Sequence, residues 1–300
     1  MGKGRTTEKR MALTNDMYFR AVYGQDRDDC REALIALLNV VLDRDDNPIT
    51  GLTYHDPFVM ADMPDEKKSV VMDIKVETAN KEYIDIEMQV RNLKDYRERS
   101  VFYQAGLLRN AVQKGEKYDT IKKTIMINFI HNGILFPDEE RYHSVFTYRN
   151  DTGHELSNAS EIHFIELMKV EVLEPDKMNE FERLCAYLRF AGDESMNDYV
   201  RKLIESGGEV IRLTEKRFRE VTQEEHEWAR KHSEWMFEME AAAARKEARE
   251  EGLEEGRAEG RAEGRSKEKN SIARAMKCEG MDAGLISKLT GLSIEEIESL

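Results

Sequence analysis

Between Tyr83 and Val90 the chain alternates polar and apolar residues, Tyr-Ile-Asp-Ile-Glu-Met-Gln-Val. In an extended strand this period of two puts Asp85, Glu87 and Gln89 on one face and Ile84, Ile86, Met88 and Val90 on the other. The stretch Ser69 to Val76 alternates in the same way, with Asp73, Lys75 and Glu77 on a shared face, and Thr78-Ala79-Asn80-Lys81 supplies a hairpin connection. If the polar faces coincide, Asp73 and Glu87, 14 residues apart, meet across neighbouring strands. Two convergent carboxylates repel unless a cation sits between them, and Mg²⁺ or Mn²⁺ with oxygen ligands suits the pair. The carbonyl of Met88 is a further candidate ligand. Such an ion acidifies a bound water and neutralises charge on a phosphate, which is what phosphodiester hydrolysis requires. A plain surface hairpin with a solvated polar face would show the same alternation, and alternation alone does not choose.

A helix expected from about Lys94 to Gly115 follows directly. It carries Arg97, Arg99 and Tyr103, which could hold a nucleic-acid backbone beside the strand or form an ordinary solvated side. From Arg91 to Ile125 nine basic residues stand against four acidic ones, whereas the whole chain carries a net charge of −14. That total is the main objection to a nucleic-acid role. The seven histidines show no HxH or HExxH spacing, which speaks against zinc hydrolysis. Cys30, Cys185 and Cys278 are distant and odd in number, so neither a disulfide framework nor a CxxC metal site is expected, and a reducing cytoplasm fits. No run of eighteen apolar residues points to a membrane span.

Positioning these residues falls to a mixed sheet with flanking helices. Two amphipathic helices open it: one follows an N-cap candidate at Thr14, and the next carries Leu34, Leu37, Leu38 and Val41 at helical spacing. Ile49–Tyr54, Thr124–His131, Ser144–Tyr148 and Ile162–Leu167 complete the strand candidates. The expected organisation is a flexible tail at 1–12, an α/β core at 13–175, a helical extension at 176–240, a charged Gly-periodic helix or linker at 241–270, and a small helix-turn-helix at 271–300. Gly252, Gly256, Gly260 and Gly264 recur every four residues, as either a solvated charged helix or a helix-pairing stripe. The final helix offers Glu295, Glu296 and Glu298, the wrong charge for reading DNA. It is expected to pack on protein, such as a second copy of the chain.

The residues Thr14 to Gly24, Val71-Met72-Asp73-Ile74-Lys75-Val76, Ile84-Asp85-Ile86-Glu87-Met88-Gln89, Arg97 to Tyr103 and the charged tail through Ile297 together resemble the Rpn recombination-promoting nucleases, also described as PD-(D/E)XK nuclease family transposases. The resemblance covers most of the chain, and the Ile-Glu-Met-Gln segment with its upstream aspartate is its most specific part. It implies a restriction-endonuclease-like α/β mixed-sheet core followed by a mainly helical C-terminal region. The activity implied is metal-dependent DNA cleavage linked to recombination or mobile elements. Asp73 and Glu87 would be ligands of Mg²⁺, with Mn²⁺ an alternative, and Gln89 would stand where the wider superfamily has a lysine. Asp16 would be a supporting acid or a further metal ligand, or simply an acid favoured in a first helical turn. Lys75 could lend the missing cation. A dimer through the C-terminal helices is expected, since two related sites suit cutting both strands. The other reading is a catalytically weak nucleic-acid-binding or oligomerisation protein on the same fold.

Overall fold

The computed structural model describes residues 12–55, 74–89, 93, 95–112, 115 and 117–300. Asp73 and the expected strand positions 69–73 lie outside the described residues. By its contacts the chain divides into two units, one ending at Ser233 and one beginning at Glu234.

The first unit is built on six strands: β1 (Leu52–Tyr54), β2 (Ile74–Thr78), β3 (Tyr83–Gln89), β4 (Thr124–Ile130), β5 (His143–Arg149) and β6 (Glu155–Glu166), in the order β1-β2-β3-β4-β6-β5. β2 and β3 form the expected antiparallel hairpin, pairing Ile74 with Ile86, Lys75 with Asp85 and Val76 with Ile84. Its turn is closed by Lys81, at φ +65°, and by the Thr78 hydroxyl, which accepts the amide of Glu82 at 3.2 Å. β3 runs parallel to β4, and β4 parallel to β6, while β5 returns antiparallel at the edge. The sheet is therefore mixed, as its sequence pattern predicts.

One sheet face carries Ile74, Val76, Ile84, Ile86, Met88, Ile125, Ile127, Phe129 and Ile165 into the main core. Helices α1 (Asp16–Tyr23) and α2 (Asp28–Val41) close it with Phe19, Val22, Tyr23, Leu34, Leu37 and Leu38. Each such side chain contributes about 1.5–3 kcal/mol when fully buried. The N-cap of α1 is Asn15 and not Thr14: its side-chain oxygen accepts the amides of Met17 at 3.1 Å and Tyr18 at 3.3 Å. Asparagine is the stronger cap at this place. Helices α3 (Tyr96–Asn110), α4 (Glu180–Phe190), α5 (Asn197–Ser206) and α6 (Glu209–Arg219) complete the unit before α7 begins at Gln223. Leu184, Leu188, Leu203, Val210, Ile211 and Val221 belong to the main core, so the helices expected as an extension from 176 share the sheet's interior. Arg217, 1 % exposed, fixes this layer by bonding the carbonyl of Ala21 at 3.0 Å, the thiol of Cys30 at 3.2 Å and the carboxylate of Glu225.

The other sheet face is covered by α3, which lies between β3 and β4 in the chain. Its buried residues are Tyr96, Ser100, Gln104, Gly106 and Leu107; Tyr96, Ser100, Gln104 and Leu107 recur at helical spacing, and the first three of these carry a polar group. The Gln104 amide nitrogen donates to the hydroxyls of Thr124 at 2.8 Å and Ser160 at 2.7 Å, and the Ser100 hydroxyl to the carbonyl of Tyr96, while Gln104 Oε1 is buried with no hydrogen-bond partner among the described residues. Tyr96 also joins Ile130, Leu135 and Phe164 in a smaller core.

The second unit contains the remainder of α7, which ends at Cys278, with α8 (Ala283–Thr290) and α9 (Ile294–Ser299). Gly291, at φ +73°, stops α8, and Ser293 opens α9 through a capping box with Glu296. Ala273, Ile286 and Ile297 form its core. Gly252, Gly256, Gly260 and Gly264 lie within α7, and a Cβ built on any of them meets nothing within 4 Å.

Candidate active site

The site is assembled on the sheet face beneath α3. β3 presents Asp85, Glu87 and Gln89 there, and the register adds Lys75 of β2 opposite Asp85 and Asn128 of β4 beside Glu87. Ile84, Ile86 and Met88 point into the main core, so any ligand from Met88 would be its backbone carbonyl. From above, α3 contributes Tyr96, Arg99 and Tyr103.

Tyr96 links two strands. Its hydroxyl lies 2.8 Å from Glu87 Oε2 and 2.8 Å from Asn128 Oδ1. The orientation of Asn128 is set by its amide nitrogen, which donates to the carbonyl of His163 at 3.0 Å. One phenolic proton therefore serves two acceptors. Arg99 lies over the Tyr96 ring, 4.6 Å from its centroid, donates to Gln89 Oε1 at 3.0 Å and comes within 3.9 Å of Glu87 Oε1.

Burial dominates the electrostatics. The Asp85 carboxyl, 2 % exposed, is pushed up to about 8 by desolvation and then by Glu87, against the pull of Lys75. Glu87 is raised by burial too, opposed by the Tyr96 hydrogen bond and by Arg99. Burial lowers the Lys75 ammonium despite Asp85 opposite it, and raises the Tyr103 phenol, which feels Arg99, Glu87 and Asp85. Asp85 Oδ1 is buried with no hydrogen-bond partner among the described residues. Two desolvated carboxylates on one strand face, one with an orphaned oxygen, fit a divalent cation, whose charge would relieve both. Among the described residues no group of three His, Cys, Asp or Glu side chains could hold a metal, and Asp73 lies outside them.

The sequence-derived residues divide. Glu87, Gln89, Arg99 and Tyr103 come together, with Lys75 one strand away. Arg97 does not join them: its guanidinium bonds the carbonyl of Leu135 and lies 4.5 Å from the centroid of the Phe136 ring. Two residues on a helix are about 200° apart, so two arginines at 97 and 99 cannot both face the strand. Asp16 opens α1, in the layer on the opposite sheet face, with its carboxylate on the amide of Met17 at 2.8 Å. Tyr96 and Asn128 were not anticipated. Asn128 had a signal, as the lone polar residue in Ile-Met-Ile-Asn-Phe-Ile. Tyr96 had none in the chain pattern.

Among the described residues no helix is long and apolar enough to cross a membrane. Comparisons with curated proteins and with solved structures give no match. A family model described as PD-(D/E)XK nuclease family transposase matches residues 13–249. That span takes in the mixed sheet, α3 and every residue of the site, and the chain belongs to the PD-(D/E)XK nuclease family transposases.

Proposed function

We propose that this chain is a metal-dependent DNA endonuclease, with Glu87 and Asp73 holding Mg²⁺ or Mn²⁺ and the Met88 carbonyl as a further donor. The observation that carries the reading is the acidic face of β3, where Asp85 is buried and Glu87 half-buried beside Gln89 and Arg99. In the β2–β3 register, one step toward the N-terminus of β2 is one step toward the C-terminus of β3, and the last described pair is Ile74 with Ile86. A hairpin continued in that register would pair Asp73 with Glu87, the convergence that metal binding needs.

When bound, the ion supplies a nucleophilic water and charge neutralisation at the scissile phosphate. The chain's residues supply position. Tyr96 fixes the Glu87 carboxylate by donating to it, and Gln89 can hydrogen-bond water or phosphate but cannot take a proton. In the hydrolysis, the water oxygen bonds to phosphorus as the phosphorus–oxygen bond to the leaving sugar breaks. The water gives up one proton and the leaving oxygen gains one, so a phosphomonoester and a free hydroxyl result.

The test is plasmid nicking by wild type, Asp73→Ala and Glu87→Ala with Mg²⁺, Mn²⁺ or Ca²⁺. Cleavage by wild type in Mg²⁺ or Mn²⁺, lost in both variants, is expected. Equal nicking by all three proteins would refute the assignment. The neutral Gln89, which can neither take a proton nor supply charge, favours a second reading, a catalytically weak nucleic-acid-binding or oligomerisation protein on the nuclease fold. It predicts DNA retention without cleavage in any metal.

A further inference from the structure

A phosphoryl-transfer site needs positive charge aimed at the phosphate, and the amide of Gln89 carries none. The cation that reaches Gln89 and Glu87 comes from α3. Arg99 donates to Gln89 Oε1 at 3.0 Å, approaches Glu87 Oε1 to 3.9 Å and rests on the ring of Tyr96. That ring is itself immobilised, because Tyr96 is 1 % exposed and its hydroxyl is engaged with Glu87 and Asn128. The guanidinium is thus held on two sides, by an amide oxygen at its edge and an aromatic face beneath it.

Two further observations say what it is held for. The Arg99 Nε–H is buried with no acceptor among the described residues, while the side chain as a whole is 35 % exposed. The exposed part of the guanidinium is therefore reachable from solvent, and the buried Nε–H beside it has no acceptor among the described residues. A planar fork of N–H groups matches the oxygens of a phosphate, and arginine keeps its charge at any working pH. Lys75, the other cation on this face among the described residues, stands opposite Asp85 and not opposite Glu87.

We propose that Arg99 is the phosphate-binding cation of the active site, seated by Gln89 and Tyr96, and that it supplies from a helix the charge that a lysine at position 89 would supply from the strand. This rests on the nuclease reading above. Gln89 becomes a positioning residue: its amide oxygen holds the guanidinium, and the guanidinium holds the scissile phosphate next to Glu87. A lysine at 89 with Arg99 still present would put two like charges side by side and remove the arginine's acceptor.

The experiment compares Arg99→Gln, Arg99→Lys, Gln89→Lys and Gln89→Lys/Arg99→Gln in plasmid cleavage with Mg²⁺. Arg99→Gln is expected to lose about 100-fold in kcat/KM, as for removal of one transition-state donor. Arg99→Lys should fall between it and wild type, since charge without the fork is a partial substitute. The double variant should recover at least about tenfold over Arg99→Gln, a gain that a purely structural role for Arg99 does not give. In parallel, affinity for a short duplex is measured in Ca²⁺ across a salt series. Arg99→Gln should lower the slope of log K against log salt by about one, the loss of one phosphate contact. Unchanged cleavage with an unchanged salt slope overturns the proposal. A wild type that binds duplex in Ca²⁺ but cuts in no metal refutes the nuclease reading alone, and the slope then still decides the role of Arg99. A wild type that neither cuts nor binds overturns both.

Discussion

Tyr96→Phe removes a single oxygen from the middle of the site and leaves the ring on which Arg99 rests. The hydroxyl lies 2.8 Å from Glu87 Oε2 and 2.8 Å from Asn128 Oδ1. A hydrogen bond to a charged acceptor contributes about 1.5–3 kcal/mol. At 1.36 kcal/mol per factor of ten, its full loss from the transition state is a drop of about 10- to 150-fold in kcat/KM. Loss of the group that orients a metal-binding carboxylate typically costs about 10–100-fold in metal affinity. The defect should therefore be largest at low Mg²⁺ and shrink as Mg²⁺ is raised. A second readout comes from Asn128, fully buried, whose side-chain oxygen loses a partner. An unsatisfied buried acceptor costs about 1–3 kcal/mol, visible as a lower urea midpoint with an unchanged slope. Single-turnover cleavage over a Mg²⁺ titration, with urea unfolding beside it, measures both. Cleavage by Tyr96→Phe within twofold of wild type at every Mg²⁺ concentration would show that the Tyr96–Glu87 contact does not support catalysis.

Other expectations concern the frame around the site. Arg217→Ala removes one partner of a buried charge cluster and should cost about 3–5 kcal/mol in urea unfolding, whereas a loss under about 1 kcal/mol would mean that Glu225 and Asp29 are solvated without it. Burial, with His163 and Arg141 nearby, holds the His143 imidazole down at about 4. The unfolded chain takes up that proton near 6.5 and the folded chain only near 4, so stability should be full above about 6.5 and fall as pH drops toward 4. His143→Gln should flatten that part of the curve, and an identical curve for the variant would contradict the assignment. Gly256→Ala and Gly260→Ala replace residues whose added Cβ meets nothing within 4 Å, and each should raise the helix's thermal stability by about 1 kcal/mol. A loss of stability, or a fall in solution mass, would instead support the helix-pairing stripe.

The hairpin was readable from sequence because β3 alternates with the strand period and its apolar half is a true core face, Ile84, Ile86 and Met88 all being buried. The parallel strands β4 and β6 were also recognised, although β6 extends back to Glu155 through a stretch with little apolar alternation. What sequence could not supply is that the helix it predicts from about Lys94 to Gly115 is a lid over β3. α3 buries Tyr96, Ser100, Gln104 and Leu107, and a helix whose inner side is mostly polar gives no 3.6-residue apolar period to read. Without that lid, the polar face of β3 reads as a solvated surface, where Asp, Glu and Gln are unremarkable. The phase of the same helix also decides between its arginines, sending Arg97 to Leu135 and Arg99 to Gln89.

The lid changes the chemistry as well as the geometry. An exposed Asp85 would be an ordinary carboxylate, whereas beneath α3 it is pushed up to about 8 and one of its oxygens has no partner among the described residues. Keeping two carboxylates desolvated on one strand is costly unless something positive compensates. Lys75 lies on the side of Asp85, and Arg99 on the side of Glu87 and Gln89. Among the described residues each flank of the acidic face thus has one cation, and the buried Asp85 oxygen is still unpaired. A fold that only presented DNA to other proteins would gain nothing from burying these acids, since carboxylates repel phosphate. A site that must bring a metal ion and a phosphate together needs both signs of charge at close quarters, and this sheet face holds the Glu87 carboxylate and the Arg99 guanidinium 3.9 Å apart.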